Sequence, residues 1–335
     1  MEFIAGDILT KDGFVKGYIK KDNEIVEIFK GNAPKKIKYK GLIIPSLINS
    51  HTHIGDSFIW RKNIRLPKKL KDLVEPPNGL KHKLLETSTD NEIINGMKKS
   101  LRIMEKSGIN HFCDFREDGL KGIKQIKSAL DEYNIKSTVL SRPKTNKFIK
   151  KELDDLLTYS NGIAISSISE WDYLELEKIS EYTKKRKKIF SLHASEGIRE
   201  DIDKIIDLKP NFLVHMTKAT KADLILVKEK NIPIVICPRS NNYFGLEPNY
   251  KILKDVGIRL LIGTDNAMLN PPNILNELKF ILSKTDVFNI YELLKMITIN
   301  PRKVLNLECD ILGSNPKANF IVLDKKTLKP LYKSY

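Results

Sequence analysis

From residue 41 to residue 264 the chain alternates short apolar runs with longer stretches whose apolar residues recur every three or four positions. The runs, bounded by turn residues, read as buried strands at 42–48, 109–115, 136–141, 161–166, 189–193, 211–216, 232–237 and 258–264. Between them, 91–107, 119–133, 171–186, 199–207, 219–230 and 247–256 carry the helical period. Strands alternating with helices mark α/β architecture. Eight strands in a chain of 335 residues predict a (β/α)8 TIM barrel rather than an open doubly wound sheet, with the active site at the carboxyl ends of the strands.

The ends of the chain follow a different pattern. Residues 1–40 read as short strands, including 14–19 and 24–29, broken at Lys11-Asp12-Gly13 and Lys21-Asp22-Asn23. They are too few to hold a core alone. After the eighth strand, 273–283 and 289–306 read as helices, and Phe320-Ile321-Val322-Leu323 as a last strand able to complete the small sheet. The division expected is a composite terminal unit of 1–42 with 308–335, beside a barrel of 43–307. Internal repeats and low-complexity segments are absent.

Composition narrows the class. Lys+Arg number 58 against 42 Asp+Glu, a formal charge of +16. Such a balance allows a nucleic-acid partner, but the lysines are interleaved with glutamates and cluster at helix ends, as in 184–188, where they complement the dipole. A solvated surface is therefore the preferred reading. Cys113, Cys237 and Cys309 lie far apart without paired spacing, which argues against a disulfide framework or a cysteine-based zinc site and for a reducing cytoplasm. Neither a signal peptide nor an apolar run long enough to span a bilayer is expected.

The chemistry begins where the first apolar run ends, in Asn49-Ser50-His51-Thr52-His53. On a strand, side chains two apart share a face, so His51 and His53 form half of a metal site. The other candidates also close strands: His193 in Leu192-His193-Ala194-Ser195-Glu196, His215 in Leu213-Val214-His215, and Asp265 in Gly263-Thr264-Asp265. Four of the six histidines thus fall at strand termini on one face of one barrel.

With these motifs, and with Cys237-Pro238-Arg239-Ser240-Asn241, Thr298-Ile299-Asn300-Pro301-Arg302 and Gly313-Ser314-Asn315-Pro316-Lys317-Ala318-Asn319-Phe320, the chain resembles the amidohydrolase superfamily. It is most similar to the metal-dependent deaminase and chlorohydrolase branch that includes cytosine, guanine and S-adenosylhomocysteine deaminases. The likeness covers nearly the whole chain in the family's order. It implies a small β-sandwich formed by the N- and C-terminal segments. It further implies that His51, His53, His193 and Asp265 hold one divalent ion, zinc first and iron second. His215 would polarise the substrate or water, and Glu196 would shuttle protons. General chemistry agrees, since a bound divalent ion lowers the pKa of water toward neutrality and carboxylates move the protons.

Two departures from the family pattern matter. Strand four, Gly162-Ile163-Ala164-Ile165-Ser166-Ser167, offers no bridging lysine or glutamate, so a single ion is expected. Ile236 stands where many relatives carry a histidine before Cys-Pro. Substrate contacts are assigned to strand-end polar groups Arg116, Arg142 and Asn266, and to His82 in a long segment able to fold over the site as a lid. For Arg116 the alternative is an ion pair with Glu117 or Asp118. His111, at the amino end of strand two, reads as structural, and Cys237 as a buried apolar residue.

The expected function is hydrolytic deamination of a purine- or pyrimidine-type heterocycle, with ammonia released. Hydrolysis of another C–N bond or of a halide is the alternative, and a non-catalytic nucleic-acid-binding barrel a third. The expected partner is a small heterocyclic substrate. No membrane is implied, nucleic acid is disfavoured, and a homodimer is left open.

Overall fold

A computed structural model describes residues 2–75, 78–307, 312, 315 and 317–335. Cys309, the expected boundary at residue 308, Pro76 and Pro77 of the covering segment, and Gly313, Ser314 and Pro316 of the tail motif lie outside the described residues.

The strands are β1 (Glu2–Thr10), β2 (Gly13–Asp22), β3 (Ile25–Lys30), β4 (Tyr39–Pro45), β5 (Leu47–His53), β6 (Ile109–Arg116), β7 (Lys136–Ser141) and β8 (Gly162–Ile165). They continue as β9 (Ile189–Ala194), β10 (Phe212–His215), β11 (Ile234–Ile236), β12 (Leu260–Ile262), β13 (Asp265–Asn266), β14 (Phe320–Leu323) and β15 (Pro330–Lys333). Among the described residues, nine form a parallel sheet in the order β12-β11-β10-β9-β8-β7-β6-β5-β13. Its two edge strands, β12 and β13, are separated only by Gly263 and Thr264. The sheet therefore curls until its edges meet, an arrangement consistent with a TIM-like barrel.

Helices pack outside. The longest, Asp90–Ser107, opens with a capping box in which Thr89 and Glu92 satisfy each other's backbone N–H, and ends at Gly108 with φ of 88°. Inside the curl, Ile48, Cys113, Phe115, Val214, Val235 and Leu261 form a separate apolar cluster beneath the strand ends.

The termini do meet, in one six-stranded sheet ordered β15-β14-β4-β1-β2-β3. The apolar run 42–48 is not one barrel strand: β4 pairs with β1 and β14, and the chain changes sheets at Ser46. Pro45 lacks an N–H and ends the first ladder. The buried Arg302 guanidinium then grips Ser46 at its carbonyl oxygen (3.1 Å) and its hydroxyl (2.7 Å). The expected helix 289–306 is likewise two, Ile290–Met296 and Ile299–Val304, broken by Thr298 at φ −134°, ψ −71° ahead of Pro301. No described helix is long and apolar enough to cross a membrane.

Candidate metal centre and active site

The site lies at the carboxyl ends of the parallel strands. Ile48 faces the interior cluster, so a strict period of two would turn His51 and His53 outward. The register of β5 against β6 shifts between Asn49 and Thr52. That irregularity re-aims both imidazoles inward, as bulges do beside functional sites. Thr52 is then held by the Cys113 carbonyl oxygen (3.1 Å) and the Asp114 carboxylate (2.9 Å). Across the seam, Asp265 aligns with Thr52 and Asn266 with His53.

His51 Nε2 lies 3.2 Å from Asp265 Oδ1 and 3.2 Å from His193 Nε2, which is 3.3 Å from His53 Nε2. One ligand atom from each of His51, His53, His193 and Asp265 falls within 4.8 Å of the others. The second nitrogens are turned away: His53 Nδ1 donates to Glu117 Oε1 (2.9 Å) and His193 Nδ1 to the Ile165 carbonyl oxygen (3.2 Å). This leaves their Nε2 lone pairs converging with no proton between them. Burial, then the neighbouring His51 and His215, hold His193 well below the usual histidine range, so it is neutral. Burial alone would raise Asp265, but the hydrogen bond from His51 and the nearby His215 keep it well below its usual value. The Nε2 lone pairs of His53 and His193 beside the Asp265 carboxylate and the His51 ring form a donor set suited to a divalent cation.

A second group, Glu196, His215 and Asp265, shares the same carboxylate. Asn241 Nδ2 contacts His215 Nδ1 (3.1 Å) and Glu196 Oε1 (3.2 Å). His215 is neutral, lowered to about 4 chiefly by burial, so an accepting Nδ1 puts its proton on Nε2, 3.5 Å from Glu196 Oε2. Burial and the Asp265 charge push the Glu196 carboxyl well above its usual range. Ser240 Oγ (2.5 Å) and Asn266 Nδ2 (3.0 Å) both donate to Asp265 Oδ2. Backbone strain concentrates here: Ser195, His215, Met216 and Asp265 all have positive φ, between 45° and 78°.

A cavity of about 390 Å³ opens over this centre. Leu70, Val74, Phe115, Ile165 and Ile198 supply apolar walls, while Ser166, Ser167, Glu170 and Arg142 make a polar side. Of the expected substrate contacts, His82, Arg142 and Asn266 line it. His82 donates to the Val74 carbonyl oxygen (3.0 Å), and Arg142 pairs with Glu170 (3.1 Å). Arg116 does not line the cavity. Period-two alternation sends Phe115 inward and Arg116 to the other face of β6, under Gly55, where it pairs with Asp114 and Glu117 at 2% exposure. His111 bonds Thr138 (2.9 Å), and Ile236 is core, away from the cavity. Four further residues carried no sequence-level assignment: Ser240 and Asn241 within a quoted motif, Glu200, which accepts from the Ser195 N–H (2.8 Å), and Lys81, one lysine among many.

These features agree with the comparisons. The amidohydrolase family model matches residues 42–334. The chain belongs to the amidohydrolase family and so to hydrolases acting on C–N bonds. It is 40% identical over 324 residues to an uncharacterized Methanocaldococcus jannaschii protein, covering 90% of this chain and 81% of that one. A putative aminohydrolase of Methanothermobacter thermautotrophicus is 32% identical, over 85% of this chain and 81% of its own. A 5-methylthioadenosine/S-adenosylhomocysteine deaminase of Caldicellulosiruptor saccharolyticus is 26% identical, over 89% and 75%. Among solved structures, a Xanthomonas campestris adenosine deaminase with bound zinc superposes with a TM-score of 0.74 at 15% identity, over 96% of this chain and 84% of that one. A Helicobacter pylori aminofutalosine deaminase gives 0.71 at 16%, over 97% and 92%.

Proposed function

We propose that this chain is a mononuclear metal-dependent deaminase that hydrolyses an amino-substituted heterocycle of the purine or pyrimidine type. The observation that carries the reading is the gathering of the His51, His53, His193 and Asp265 cluster with Glu196 and His215 around one cavity. Glu196 is kept protonated by burial and by Asp265, while Asp265 itself stays ionised among histidines. An acid and a base pushed apart in this way suit proton shuttling at neutral pH.

His51, His53, His193 and Asp265 would hold a divalent cation, zinc by preference and iron as the alternative, which would supply a water acidified toward neutrality. Asp265, anchored through Oδ2 by Ser240 and Asn266, takes the water's proton. Glu196 gives its proton to a ring nitrogen as the oxygen attacks the amino-bearing carbon. The His215 Nε2–H, oriented by Asn241, hydrogen-bonds the developing oxygen. Asp265 returns its proton to the amino group, the C–N bond breaks to release ammonia, and the hydroxyl proton passes back to Glu196 as the ring carbonyl forms.

The apolar walls suit the faces of a flat ring. The deaminase names borne by relatives support an aminated purine as its class. The same reading takes the curled sheet as a closed (β/α)8 barrel flanked by a small terminal β-sandwich, with the division at Ser46. Buried free Cys113 and Cys237 support a reducing, cytoplasmic setting.

The test is ammonia release by metal-loaded protein across aminopurines, their nucleosides, aminopyrimidines and aminotriazines. Release that requires both metal and Glu196 is expected. Silence across that panel with metal bound would refute the deaminase assignment in favour of another C–N hydrolysis.

A further inference from the structure

Lys81 is out of place by every local rule. It sits in the first turn of helix Leu80–Thr87, where a cation opposes the helix dipole, and the N-cap Gly79 contributes no side-chain cap. It is only 3% exposed, in a chain whose other lysines are overwhelmingly solvated. Burying an ammonium is costly unless its donors are matched, so something at the far end of the side chain must hold it there.

What it meets are the partners of two metal ligands. Lys81 Nζ lies 2.5 Å from Glu117 Oε1, the atom that accepts from His53 Nδ1. It also donates to Asn266 Oδ1 at 3.0 Å, and the Asn266 amide donates in turn to Asp265 Oδ2. Asp56 Oδ2, at 4.0 Å, completes its surroundings. By accepting from His53 Nδ1, Glu117 Oε1 fixes the tautomer that leaves Nε2 free to face the centre, and Lys81 holds that same oxygen in place. The element that delivers Lys81 also supplies the cavity wall, through Leu70, Val74 and His82 in and around helices Leu70–Leu73 and Leu80–Thr87.

We propose that Lys81 is a positioning residue that couples this covering element to His53 and Asp265 through Glu117 and Asn266. The proposal rests on reading the four-residue cluster as a metal centre. Coupling is reciprocal: if the helix helps metal bind, metal must stabilise the helix.

Cobalt(II) serves as the probe, titrated into the metal-free full chain and followed by its visible absorption, for wild type, K81M, E117Q and K81M/E117Q. K81M is expected to weaken cobalt affinity by about 10- to 100-fold and to alter the visible band. The double variant is expected to lose little more than E117Q alone, because both substitutions act through one chain of contacts. In hydrogen exchange, cobalt should slow the 80–87 amides of wild type and leave those of K81M unchanged. K81Q, which removes the ammonium charge and shortens the reach to Glu117 while keeping a polar end, covers the case in which K81M does not fold. Wild-type binding with unchanged affinity and spectrum in K81M or K81Q, or fully additive losses in the double variant, overturns the coupling alone. A wild type that takes up no cobalt overturns the metal-centre reading and the coupling with it.

Discussion

The seam where the curled sheet meets itself is held by one buried amide, and its removal has a calculable cost. Asn49 and Thr264 are both fully buried. Asn49 Nδ2 donates to Thr264 Oγ1 at 2.7 Å, and its Oδ1 accepts from the Thr264 N–H at 3.1 Å. In Asn49→Ala both bonds are lost, at about 1 kcal/mol net each, and the Thr264 hydroxyl is left buried without its donor, a further cost of about 1–3 kcal/mol. The Thr264 N–H keeps its bond to the His51 carbonyl oxygen (3.0 Å), so its lost bond to Asn49 adds almost nothing and drops out of the sum. The total expected is about 2–4 kcal/mol, read from chemical denaturation of metal-free protein. Adding Thr264→Val removes the orphaned hydroxyl and should recover about 1–2 kcal/mol, since replacing both partners is milder than stranding one. Because His51 and Asp265 flank this seam, metal affinity should fall as well. A loss below about 0.5 kcal/mol, the scale of an inconsequential surface change, would show that the closure does not depend on this pair.

Other expectations bear on the site itself. A Cβ at Gly263 would stand 2.7 Å from His51 Cβ and 2.8 Å from its carbonyl oxygen, so Gly263→Ala should displace the first ligand strand, costing about 1–3 kcal/mol and weakening metal uptake; thermal unfolding and metal titration report both. Glu196→Gln should retain metal while turnover falls by about 10²- to 10⁴-fold, and ammonia release at the wild-type rate would remove Glu196 from the proton path. The His51→Ala, His53→Ala double variant should purify without bound metal, measured by elemental analysis; full stoichiometry would end the ligand assignment. His111, lowered to about 3 by burial and then by Arg302 and Lys136, is neutral when folded but takes a proton below its ordinary 6.5 when unfolded. Its contribution to stability is complete above pH 6.5 and lost as pH falls toward 3. His111→Gln should therefore flatten the acid side of the stability profile, and an unchanged slope would contradict that account.

Much of the molecule is written in local pattern. The alternation of apolar runs with helical periods marks the parallel sheet, and ligand-type residues at the ends of those runs mark the metal cluster. Each such signal is short-range: a strand end, a spacing of two, a motif of five. Sequence also carried the shared face of His51 and His53, because alternation relates residues two apart whatever their surroundings. It did not carry which face that is. The phase set by Ile48 points both outward, and only the register shift against β6 turns them in. The same limit explains the change of sheet at Ser46, which depends on Arg302 arriving from 256 residues away. It explains Arg116, whose fate rests on which face of β6 it occupies. Lys81 is the clearest case: nothing nearby distinguishes it from Lys83, and its role comes from Glu117 and Asn266, 185 residues distant in the second case. The clustering of His51, His53, His193 and Asp265 was legible because metal chemistry restricts residue types, whereas orientation, partners and proton states arise from contacts that exist only once distant strands are brought together.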